Sequence, residues 1–127
     1  MFSHIMIGSN DVARSKIFYD ALVGAMGGKP AVQDAKGRLI YAHRGGRLMV
    51  TPPINGEPAC GANGGTIGFG LESAAEVDAW HKAGVESGGT TVEDPPGVRQ
   101  GASGALYLAY LRDPDGNKLC GLFRMAG

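Results

Sequence analysis

Asp113-Pro114-Asp115-Gly116-Asn117-Lys118-Leu119-Cys120 is the stretch on which the reading of this chain turns. It lies between two apolar runs, Ala105 to Leu111 and Leu119 to Phe123. Pro fixes φ, Gly permits φ > 0 and Asx side chains bond nearby backbone, so Asp113 to Asn117 specify a tight reversal. The two runs are then the partner strands of a β-hairpin.

Upstream of that hairpin the same order of elements occurs twice. Phe2 to Gly8 is apolar on both faces and reads as a buried strand. Ser9-Asn10-Asp11 supplies good N-cap residues. From Val12 the apolar positions recur at helical spacing through Ile17, Phe18, Ala21, Leu22 and Ala25, until Gly27-Gly28 stops the helix. Strands are expected at Pro30 to Gln33, Leu39 to His43 and Arg47 to Thr51, with turns at Lys36-Gly37 and Gly45-Gly46. The second unit has a strand at Thr66 to Leu71, a cap at Glu72-Ser73, and a helix from Ala74 to Ser87. Val77, Trp80, Ala83 and Gly84 form its buried stripe, and Gly88-Gly89 stops it. Thr90 to Glu93 and the two hairpin runs are its strands, while Asp94 to Ser103 reads as a long Pro/Gly-rich loop and a mobile flap.

Placing His4 over Thr66 puts Phe18 on Trp80, and on the last strand of each unit Met49 is matched to Cys120. The fold class is therefore α+β, a single domain of two paired β-α-β-β-β units, about 1–53 and 65–127, joined by a polar linker at 54–64. Each unit is one open sheet with a helix behind it.

Bulk properties narrow the function. A chain of 127 residues buries a real core in one domain. Twelve basic and twelve acidic residues cancel, so no basic footprint for nucleic acid exists. No apolar run approaches the roughly eighteen residues of a membrane span, and no charged segment precedes the first strand. The expected setting is the cytoplasm, where Cys60 and Cys120 remain reduced thiols.

The Asp-Pro-Asp-Gly-Asn turn and the paired repeat resemble the vicinal-oxygen-chelate family of glyoxalases, extradiol dioxygenases, and fosfomycin- and bleomycin-resistance proteins. The resemblance runs from the first strand through Phe18-Tyr19-Asp20 to the final hairpin. It implies two sheets related by a pseudo-two-fold axis, a cleft lined from both halves, and a homodimer. In metal-using members, four strand positions hold a divalent ion that acts as a Lewis acid on two neighbouring oxygens. Carried over, those positions are His4, Met49, Thr66 and Cys120, with Cys120 standing where the family's wording has a metal-binding Glu. Only His4 is an ordinary ligand. Met49 is a thioether, Thr66 is neutral, and one His with one Cys is too few for a stable zinc site. The expectation is no cofactor, with a divalent metal at His4 as the alternative.

Strand alternation nominates further cleft residues. Phe2 and Met6 share a face with His4, Arg47 and Thr51 with Met49, Gly68 and Gly70 with Thr66, and Lys118 and Leu122 with Cys120. By the resemblance, Tyr110 falls where fosfomycin-resistance relatives carry a substrate-contacting Tyr, and Leu108 shares its face. The expected ligand-binding set is His4, Met6, Arg47, Met49, Thr66, Leu108, Tyr110 and Cys120, an apolar cleft with isolated polar points.

Three functions stay open. The first is a metal-independent small-molecule binding protein. The second is a glyoxalase-like lyase or isomerase, or a dioxygenase, whose rearranged site draws on Glu57, Glu72 or Glu93. The third is a structural dimer without a ligand. A thiolate–imidazole pair of Cys120 and His4 would be a nucleophile, but sequence supplies no third orienting group. The plain reading of Cys120 is a small buried apolar residue. Arg14, Lys16, Asp20, Glu76 and Asp78 read as solvated helix faces.

Overall fold

Each half of the chain starts its helix in the same way. Asp11 and Ser73 hold extended backbone, and their side chains accept from the amides of Arg14 and Glu76. Each bond satisfies one of the orphan N–H groups of a helix's first turn. In this computed structural model, which describes residues 1–125, α1 spans Val12–Gly24 and α2 spans Ala74–Glu86. The strands are β1 (Ile5–Gly8), β2 (Val32–Gln33), β3 (Leu39–His43), β4 (Gly46–Thr51), β5 (Ile67–Gly70), β6 (Thr90–Gly101), β7 (Gly104–Arg112) and β8 (Lys118–Arg124). The β-α-β-β-β order thus occurs twice, as the repeat implies; positions 126 and 127 of the second unit lie outside the described residues.

The strands form two four-stranded sheets with matching orders, β1-β4-β3-β2 and β5-β8-β7-β6. β1 runs parallel to β4 and β5 parallel to β8; the other pairs are antiparallel. Register matches too. Met49 sits between Met6 and Ile40, and Cys120 between Gly68 and Tyr110, so Met49 and Cys120 occupy equivalent places.

One face of each sheet is covered by its helix. Phe18, Tyr19, Leu22 and Val23 of α1 cover Leu39, Tyr41, Leu48 and Val50, while Val77 and Trp80 of α2 cover Leu71, Ala109, Leu111 and Leu119. Burying each large apolar side chain contributes about 1.5–3 kcal/mol. The two layers fuse into one core because α1 and α2 pack on each other. Gly84 permits that approach: a Cβ there would stand 2.4 Å from Leu111 Cδ1 and 3.2 Å from Leu22 Cδ1. Among the described residues, no strand of one sheet packs against a strand of the other.

Several local expectations are corrected. β1 begins at Ile5, leaving Phe2 outside the strand and largely exposed. The β3–β4 turn is Arg44-Gly45, one residue earlier than expected, with left-handed φ of 49° and 81°. That is the twist a two-residue hairpin needs. On α1, Ile17 faces solvent, whereas Ser15, Tyr19 and Val23 are buried. Asp94 to Ser103 is not a loop: β6 runs to Gly101 and pairs with β7 on both sides of an irregularity between Val92 and Gly97. Pro95 and Pro96 are tolerated because β6 is an edge strand and the irregularity releases their missing donors from the ladder.

Candidate functional site

The Asp113–Asn117 turn is a joint between the halves. Buried Asp113 accepts at Oδ1 from the amides of Asp115 and Asn117, both at 2.9 Å. Its Oδ2 accepts from Tyr19 Oη at 2.6 Å and Asn117 Nδ2 at 2.8 Å. Asp115 takes the Asn10 amide (2.9 Å), Arg14 (2.8 Å) and Ser15 Oγ (3.2 Å) at the start of α1. Burial first, then the Asp113 charge, pushes the Tyr19 phenol well above its ordinary value. Tyr19 is therefore a fixed donor. Tyr19, Asn10, Arg14 and Ser15 thus tie the start and buried face of α1 to the β7–β8 turn, whose remaining bonds brace the turn itself.

The nominated residues fall into separate groups. Met6 and Met49 are Cα partners on the face of the first sheet turned away from α1, Met49 buried and Met6 exposed. His4 precedes β1 and is exposed, its Nδ1 lying 2.8 Å from Ser3 Oγ. Thr66 is exposed just before β5. On the uncovered face of the second sheet the structure does gather a set. Leu108 and Cys120 are buried there, and Tyr110 is the Cα partner of Cys120. Burial first, then their mutual contact, raises the Tyr110 phenol; burial also raises the Cys120 thiol. Lys118 Nζ stands 4.9 Å over the Tyr110 ring and pairs with Glu93, whose φ of 58° is left-handed. Such strain in a non-Gly residue is frequent near functional sites. Lys118 and Glu93 thus join the set.

The family's divalent ion does not fit this donor set. Among the described residues no three His, Cys, Asp or Glu side chains come together. Burial keeps Cys120 a thiol, Glu93 is engaged by Lys118, and Glu72 faces Arg44 at 3.4 Å. The other histidines are also committed: His43 Nε2 lies 2.9 Å from the Met26 carbonyl, and His81 Nε2 lies 2.9 Å from Thr91 Oγ1.

A cavity of about 260 Å³ opens elsewhere, between the helix-covered side of the first sheet and strand β5. Ile5, Val23, Met26 and Leu48 line it from one half, and Ile67–Gly70 from the other. It is lined from both halves, yet of the expected ligand-binding set it includes only Arg47, with Gly68 and Gly70 from the further nominated cleft residues. The helix charges also differ from expectation. Arg14 bonds Asp115, Asp20 accepts from Tyr41 at 2.7 Å, Glu76 pairs with Arg44, and Asp78 accepts from Tyr107 at 2.8 Å. They are tertiary clamps rather than solvated faces; no local pattern reveals their partners.

The profile of the Glyoxalase/Bleomycin resistance protein/Dioxygenase superfamily matches residues 1–120. Among solved structures, a glyoxalase/bleomycin resistance protein from Albidiferax ferrireducens is 55% identical, with a TM-score of 0.94 over 98% of this chain and 99% of that one. A glyoxalase-related enzyme from Fulvimarina pelagi shares the fold at 17% identity and TM-score 0.71, over 98% of this chain and 88% of that one. A glyoxalase/bleomycin resistance protein/dioxygenase family enzyme from Burkholderia phytofirmans does so at 14% identity and TM-score 0.72, over 97% and 98%. No curated protein matches the chain. Among the described residues no helix is long and apolar enough to cross a membrane.

Proposed function

Since the chain belongs to the glyoxalase/bleomycin resistance protein/dioxygenase superfamily, we propose that it binds a small organic molecule without a metal. One observation carries this reading: the uncovered face of the second sheet sets Leu108, Tyr110 and Cys120 together as a soft, largely apolar surface, with Lys118 over the Tyr110 ring. Such a surface suits a planar or amphipathic ligand stacked on an aromatic ring. The thiols Cys60 and Cys120 are unpaired, in keeping with a cytoplasmic setting.

The working form is read as a homodimer. β1 and β5 are free sheet edges, and beside β1 the large apolar side chains of Met1, Phe2 and Met6 are exposed. Free edges and contiguous apolar surface are what a second copy covers. Pairing across these edges would bring Met6 and Met49 of one chain toward Tyr110 and Cys120 of another.

The test is the metal content of untagged protein, wild type and His4→Ala together, by elemental mass spectrometry. Less than about a tenth of an equivalent in both is expected, because an incomplete ligand set holds no stoichiometric ion. About one equivalent, lost in the mutant, would return the chain to metal-dependent lyase or dioxygenase chemistry. Sedimentation equilibrium decides the dimer.

A further inference from the structure

We infer, on the small-molecule reading above, that the ligand of the second sheet's uncovered face is an amphipathic carboxylate, and that Arg99 of the edge strand β6 holds its charged end. Cross-strand partners share a face, so Arg99, opposite Leu106, lies on the side of Leu108 and Tyr110 and away from α2. Its guanidinium is fixed there. Nη2 donates to the carbonyls of Asp94 and Pro95, both at 3.0 Å, in the irregular stretch of β6. Gly97, opposite Leu108, lets it lie close, since a Cβ there would stand 3.4 Å from Arg99 Nη1. Among the described residues Nη1 and Nε have no hydrogen-bond partner, so their donors remain unspent. Burial raises the Tyr110 phenol and the Cys120 thiol, and the Arg99 charge works against that rise at both. The guanidinium therefore stands near each of them.

Charge picks the class of ligand. Register puts Arg112, Lys118 and Arg124 on the same face as Arg99. Lys118 is answered by Glu93, and Arg112 Nη1 donates to the Gly116 carbonyl at 2.7 Å. Among the described residues no carboxylate pairs with Arg99, Arg112 or Arg124. A chain of zero net charge thus carries unanswered positive charge on this one face. A bound anion relieves it, and a hydrogen bond from an anchored guanidinium to a carboxylate is about twice as strong as a neutral one. The remainder of the face suits an apolar body. Leu108 and Cys120 are buried in its floor, and Gly68 and Gly70, opposite Cys120 and Leu122, leave room where a Cβ would meet nothing within 4 Å. Hydrocarbon laid on that floor displaces water from apolar surface. One anchored cation beside such a floor fits a monoanion.

The experiment follows backbone amide chemical shifts of the full chain during titration with 2-naphthoate, and with 2-naphthalenemethanol as the uncharged counterpart. EDTA in the buffer ensures that no ion bridges probe and protein. Naphthoate is expected to move the amides of Arg99, Leu108, Tyr110 and Cys120, and to bind about tenfold tighter than the alcohol. Arg99→Gln should erase most of that difference. Lys82→Gln, which removes a charge from the exposed surface of α2 behind the sheet, should leave it intact. Unchanged binding of the alcohol to Arg99→Gln shows that the face stays folded. Raising salt from about 0.05 M to about 0.5 M should weaken naphthoate and spare the alcohol, which reads the charge without any substitution. Equal binding of the two probes by wild type overturns the carboxylate assignment while the small-molecule reading stands. So does a naphthoate affinity that ignores salt or Arg99→Gln, or naphthoate shifts confined to other parts of the chain. No shift at this face from either probe overturns both.

Discussion

Tyr19, on the buried face of α1, donates its hydroxyl to Asp113, which opens the turn between β7 and β8, at 2.6 Å. The pair ties the first helix to the last hairpin, and its acceptor also receives three donors from its own turn. Tyr19→Phe keeps the ring and removes one donor from a buried carboxylate. It should cost about 1–3 kcal/mol, the penalty for leaving a buried polar group short of a partner. Urea denaturation reads this as a lower midpoint at unchanged slope; an unchanged midpoint would mean that the bond contributes nothing.

Asp20 makes stability depend on acid. Burial alone would raise its carboxyl, but hydrogen bonds from Lys16, the Ala31 amide and Tyr41 hold it below the ordinary value of 3.8. A depressed folded-state value means that the contribution is present above the unfolded value and disappears as pH falls through the folded one. Stability should therefore decline below about pH 4, and Asp20→Asn should flatten that decline. Identical pH profiles for the two proteins would remove Asp20 from the account.

The two thiols should separate cleanly by reactivity. Cys60 is exposed, whereas Cys120 is buried and its thiol is pushed up by that burial. Since the thiolate is the reactive form, native protein near pH 7.5 should lose one thiol to a maleimide quickly and the second only on unfolding. Cys60→Ser should abolish the fast phase. A fast phase that persists in that variant would reveal an activated Cys120 and revive a nucleophilic role for it.

Gly121 lies under the Trp80 ring, and a Cβ there would stand 2.8 Å from Trp80 and 3.0 Å from Leu71. Gly121→Ala should destabilise by about 1–3 kcal/mol through overpacking. Trp80 also carries a buried indole N–H with no partner among the described residues. Trp80→Phe removes that donor and trims the outer part of the crowding indole, so the double variant should lose less than the sum of the singles. Strict additivity in thermal unfolding would show that the two sites do not meet.

Much of the fold was legible because its signals are local. Asp11 and Ser73 mark both helix starts, and the match of Met49 to Cys120 survives in the strand register. β6 was hidden because Pro95, Pro96 and Gly97 interrupt alternation, while its pairing is supplied by β7, a non-local partner. The site was legible in part. Leu108, Tyr110 and Cys120 share a face by simple period-two counting. Lys118 follows from the same count, whereas Glu93, which pairs with it, depends on how a bulged edge strand returns to the sheet. The cavity was invisible, since its walls come from two units whose docking no periodicity encodes.

The hydrogen bonds of the Asp113–Asn117 turn also set an order of events. They reach back 94 positions to Tyr19 and 105 to Asn10. During synthesis the first β-α-β-β-β unit emerges from the ribosome long before the carboxylates that seat its helix exist. Until then the Tyr19 hydroxyl has water rather than Asp113 as its acceptor, and the start of α1 lacks its contacts with Asp115. Contacts of such long separation form late and slow folding. The first half consequently lacks these contacts until the second half is made. Its completion is deferred to the closing hairpin, which exposes the nascent chain to misassembly until that moment.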